Sequence, residues 1–124
     1  MKEVGVITFN VDAQYRNRYN GTAWNNVKAY LTTKLRWDVN LNVSETVRKY
    51  FDVCYKDASD IMYDIYCQQK AHWQILRYEA QQGLISKSEL QSVFGSLSTQ
   101  SYWSRELLEG WVSQFKDALK AIEP

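Results

Sequence analysis

Apolar side chains recur at helical spacing along most of this chain, and that pattern constrains the fold more than any other property. Residues three and four apart share one face of a helix. Trp24, Val27, Leu31 and Leu35 form one such stripe, and Val47, Tyr50, Phe51 and Cys54 form a second. Ile61, Met62, Ile65, Gln69, Trp73, Leu76 and Ala80 form a third. Leu108, Trp111, Phe115, Leu119 and Ile122 give the last helix one apolar face. The expectation is a mainly α protein, an up-and-down bundle of four main helices preceded by one strand or extended arm. The arm is residues 4–9 (VGVITF), which read as a strand. A lone strand makes no sheet. It pairs with a copy of itself across a dimer, or it belongs to a sheet completed elsewhere.

Turn and cap residues divide the chain into 1–21, a strand or arm and a polar loop, and 22–124, a helical domain. Thr22 is placed to cap the first helix, which should end near Trp37-Asp38. After a connector over 39–43, Ser44 is expected to cap the second helix, with Glu45 in its first turn. Lys56-Asp57 breaks that helix, and Asp57 is expected to cap a third, long one that ends at Gly83. Ser86 and Glu89 form a capping box for a short helix through Phe94, and residues 95–100 read as a loop. Ser104 caps the last helix, with Trp103 before it able to staple against Leu108.

Composition narrows the function classes. Fifteen basic residues against fourteen acidic ones leave a formal charge of +1, whereas binding to nucleic acid requires a basic excess. Tyr15, Arg16, Arg18 and Tyr19 do interleave rings and bases, a pattern that can stack on single strands, but no nucleic-acid motif accompanies it. No apolar run is long enough to span a membrane, and the first residues lack the apolar segment of a secretory leader. Cys54 and Cys67, with the single His72, fit no zinc spacing. They read as reduced thiols on helical core faces, with a bridge between adjacent helices left open for an exported protein. Asp57, Asp60 and Asp64 lie on adjacent turns of one helix, without the glycine-containing loop of a calcium site. His72 has no nucleophile motif to serve. Neither a metal site nor a cofactor motif is read from the chain.

The aromatic content is high: five Trp, nine Tyr and four Phe. Trp24, Trp37, Phe51 and Trp111 occupy helical core positions, while Tyr15 and Tyr19 do not.

Residues 24–66 contain Tyr30-Leu31, Lys34-Leu35 and Trp37-Asp38, then Phe51, Cys54-Tyr55 and Ala58-Ser59. This run resembles the helical C-terminal part of a bacterial family of glycosidase-like TIM-barrel proteins, a domain of unknown function related to α-glucuronidases and hexosaminidases. Two positions depart from the family pattern. Lys56-Asp57 stands where the family has a Gly-Pro turn, and Cys54-Tyr55 replaces an aromatic pair. The resemblance implies that residues 5–10 (GVITFN) are the last barrel strand, with the rest of the barrel upstream.

Functional residues of such barrels follow the C-terminal ends of the strands. On that reading Asn10, Asp12, Gln14, Tyr15 and Tyr19 are the candidate glycan-binding residues, an ordinary polar loop being the alternative. Rings suit the apolar face of a sugar, and amides or carboxylates suit its hydroxyls. The expected function is a non-catalytic helical portion of a glycoside-hydrolase-like, carbohydrate-processing protein, supporting the barrel and its glycan site. Its expected partners are the upstream barrel, a glycan in the full-length protein, and a second copy of itself as a homo-oligomer. Paired catalytic carboxylates are not found in this segment. The resemblance further implies a periplasmic or secreted bacterial location, in which the sequons at Asn20 and Asn42 carry no function. The alternative is a free-standing helical module for protein–protein interaction.

Overall fold

The computed structural model describes residues 24–85 and 103–123, and every regular element among them is helical. The protein is mainly α, as the apolar spacing predicts. The expected strand at 4–9, the loop after it, the Thr22 cap, the short helix through Phe94 and the loop at 95–100 lie outside the described residues. The chain divides between Cys54 and Tyr55 into two units.

The first unit holds α1 (Asn25–Trp37) and most of α2 (Val43–Tyr55). Lys34 and Arg36 sit in the last turn of α1, where positive charge complements the helix dipole. At its end Asp38 turns extended, and its Oδ1 accepts a bond from the Asn40 amide at 2.9 Å. Helix α2 starts two residues earlier than Ser44 would allow. Asn42 is the cap: its Oδ1 accepts from the Glu45 amide at 3.2 Å. Its carbonyl accepts from the Thr46 amide at 3.0 Å and from Thr46 Oγ1 at 2.8 Å. Ser44 therefore lies inside the first turn. Val27, Val47 and Phe51 are buried, with Thr46 beside them in sequence also buried. Rings join the two helices, Trp24 to Phe51 at 5.6 Å and Tyr30 to Tyr50 at 5.2 Å between centroids. Two residues of the expected core are outside it. Trp37, at the very end of α1, is 88% exposed, and Cys54 is exposed as well.

The second unit begins with a 3₁₀ turn at Lys56–Ala58 and continues into α3 (Ser59–Gln81). Asp57 is not the cap of α3. The chain enters the helix from Ala58 through the 3₁₀ turn, with no side-chain cap bond. Asp60 does lie in the first turn. Gly83 closes α3 with a φ of 75°, its amide bonding to Ala80 O at 3.2 Å and the Leu84 amide reaching Glu79 O at 2.9 Å. That bond pair is the Schellman ending, which favours glycine because the backbone is left-handed there.

Helix α4 (Arg105–Ile122) opens as its sequence predicts, with Ser104 Oγ accepting from the Leu107 amide at 3.2 Å. It packs on α3 and on the 3₁₀ turn. Side-chain bonds join Asp64 to Gln114 and Gln68 to Trp111. Contact numbers that fall on one helix as they rise on the other mean that the two run antiparallel. Ala58, Ile65, Leu76, Trp111 and Ala118 form the buried apolar set of this unit.

Candidate functional site

Two features of the second unit stand out, a ring-and-amide cluster between α3 and α4 and the outer face of α4. In the cluster, Trp111 Nε1 donates to Gln68 Oε1 at 3.2 Å. Gln68 Nε2 donates in turn to Asp64 Oδ2 at 2.7 Å, and Gln114 Nε2 reaches the same oxygen at 3.5 Å. A chain of this kind fixes the indole and uses the amides internally. His72 lies one turn further along α3, its ring 5.0 Å from Trp103 and 5.9 Å from Trp111, with the two indoles 6.0 Å apart. Among the described residues, its buried Nε2 has no hydrogen-bond partner, and neither has the buried Gln114 Oε1. His72 is thus the third ring of a tilted and edge-to-face aromatic cluster. Nearby on α3, burial pushes the Tyr66 phenol above its ordinary pKa, and the neighbouring Cys67 adds to the rise.

An open groove of about 590 Å³ runs beside the cluster, lined by Gln68 and by the first half of α4 from Ser104 to Gln114. Gly110 lies on its wall, and a Cβ there would meet nothing within 4 Å, so the groove does not depend on glycine at this position. Among the described residues, no group of three or more His, Cys, Asp or Glu stands close enough to hold a metal ion.

The outer face of α4 has a different character. Its apolar residues fall into two stripes centred about 70° apart around the helix axis. Trp111 and Ala118, seven apart, make the stripe that packs on α3. Leu108, Val112, Phe115, Leu119 and Ile122, spaced four, three, four and three, make the second. On this second stripe Leu108 and Phe115 are partly covered, while Val112 is 52%, Leu119 58% and Ile122 56% exposed. The apolar face expected from the sequence is therefore covered along one edge only, and Leu119 and Ile122 lie outside the core. Beside the exposed stripe runs a charged flank of Arg105, Glu109, Lys116 and Glu123, with Arg105 Nε 2.7 Å from Glu109 Oε1.

Val112 is the residue that the sequence-level stripe missed. Its signal is its position four after Leu108 and three before Phe115, which widens the apolar arc of α4 to about 120°. Trp73 departs likewise from its expected stripe, being 40% exposed, whereas its neighbour His72 turns toward α4. The predicted glycan residues Asn10, Asp12, Gln14, Tyr15 and Tyr19 lie outside the described residues. No helix among the described residues is long and apolar enough to cross a membrane. No family model, no curated protein and no solved structure matches this chain.

Proposed function

We propose that this chain works as a helical docking domain that binds another protein helix against the outer face of α4. The observation that supports it is the exposure of Val112, Leu119 and Ile122 along one stripe. Scattered exposed apolar residues are ordinary on any protein, but a continuous row of them marks an interface. Each such side chain is worth about 1.5–3 kcal/mol on full burial. A row of several is needed because association also costs translational freedom and side-chain order. The ring-and-amide cluster behind α4 holds this helix in place. The homo-oligomer expected from the sequence is one form such docking takes.

A photo-crosslinking amino acid at Leu119 tests the reading. Protein adducts should form in native lysate and disappear when Val112 is also changed to Lys. A probe that yields no protein adduct at all would sink the proposal.

The run of residues from Trp24 to Ser59 favours a second reading, in which the same helices sit behind the barrel of a carbohydrate-processing protein. The positive φ of Lys56, 46°, supports it, because the resembled family has glycine at that turn. In that reading Tyr15→Ala weakens oligosaccharide binding by the full-length protein, and unchanged affinity removes Tyr15 from the glycan site.

A further inference from the structure

We infer that the partner of the α4 face is a second copy of this chain, bound antiparallel through α4 itself. The inference rests on the docking reading above and adds the identity and register of the occupant. The exposed stripe has the alternating three and four spacing of a two-helix seam. Its two flanks are unlike each other. One carries Trp111 and Ala118, which are buried in the second unit. The other carries Arg105, Glu109, Lys116 and Glu123.

This asymmetry selects the direction of pairing. In a parallel pair each flank faces the opposite flank of the partner, so the charged row would meet Trp111 and Ala118. In an antiparallel pair like flanks face each other, and the charged rows come together. The register that overlaps all of Arg105–Ile122 on itself sets Leu108 opposite the partner's Leu119, and Val112 opposite the partner's Phe115. It also brings Glu109 beside the partner's Lys116, and Arg105 beside the partner's Glu123. Two-fold symmetry repeats both contacts, so four pairs form and every one joins opposite charges. A seam about 27 Å long belongs to the small interface class, so the dimer is weak and concentration-dependent.

Sedimentation equilibrium over a range of concentrations should show a monomer–dimer equilibrium. Leu119→Lys, at an exposed position that leaves the core intact, should weaken it at least about tenfold, or about 1.4 kcal/mol. Lys116→Glu sets glutamates opposite each other at two symmetric places and should also weaken it. Adding Glu109→Lys to Lys116→Glu exchanges the signs and should restore association. Only the antiparallel register produces that rescue. A wild-type chain monomeric at every concentration, a dimer untouched by Leu119→Lys, or an exchange no tighter than Lys116→Glu alone would each overturn the inference. The two readings fail separately. Crosslinks from position 119 only to other proteins would leave the docking reading standing and remove self-pairing, whereas no protein adduct of any kind would remove both.

Discussion

Lys56 holds a backbone conformation that its own side chain disfavours. At a φ of 46° it is left-handed, which costs a residue with a Cβ roughly 1–2 kcal/mol. The strain is placed where α2 must stop and the 3₁₀ turn into α3 must begin. Lys56→Gly removes the clash but adds freedom to the unfolded chain, an opposing effect of about 0.5–1 kcal/mol. The net expectation is a gain of about 0.5–1 kcal/mol, read as a higher urea midpoint with an unchanged slope. Lys56→Val, stiffer at Cβ, should lose about 1 kcal/mol or more. A glycine variant no more stable than wild type would show that Lys56 gains from contacts what it loses in backbone strain.

At the scale of elements, helix existence was legible because periodicity reports burial directly, and two ends were legible because their chemistry is unambiguous. Ser104 is the one hydroxyl just before the last apolar stripe, and Gly83 is the only glycine near the end of the long helix. The start of α2 was less so. Asn42 and Ser44 are both good caps two residues apart, and the choice depends on which one leaves helical dihedrals. Thr46 decides it, since its amide and its hydroxyl both bond the Asn42 carbonyl and commit the helix to begin there. The start of α3 was illegible for another reason, because a 3₁₀ turn runs straight into the helix and leaves Asp57 nothing to cap. Faces were harder than ends. A stripe shows that one side of a helix is apolar, but how wide an arc a neighbour covers is set by packing. That is why Leu119 was expected inside and is found outside, and why His72 rather than Trp73 meets α4. The candidate glycan residues rest on the resemblance to a barrel alone and lie outside the described residues. The interface proposed on α4 was half visible, since four of its five residues were already assigned to one face.

For the molecule as a whole, the amount of fully buried apolar volume governs how association feeds back on stability. The largest fully buried side chains among the described residues are Phe51 in the first unit, and Ile65 and Leu76 in the second. Cores built on so few large residues leave a modest margin against unfolding. Any partner that binds only the folded form then raises stability measurably, and a partner at about 100 times its Kd adds about 2.7 kcal/mol. If α4 pairs with itself, the protein is its own ligand. Its melting temperature should climb with protein concentration by several degrees, since about 1 kcal/mol moves a chain between the 100- and 150-residue size classes by roughly 4 °C. Leu119→Lys should melt at one temperature whatever the concentration, and at dilution should match the wild type, because Leu119 contributes little to the core of the single chain. Calorimetry at two widely separated concentrations separates the outcomes. A wild-type melting temperature independent of concentration means that α4 does not join two copies, and a dilute Leu119→Lys that melts well below the wild type means that Leu119 supports the fold of the monomer.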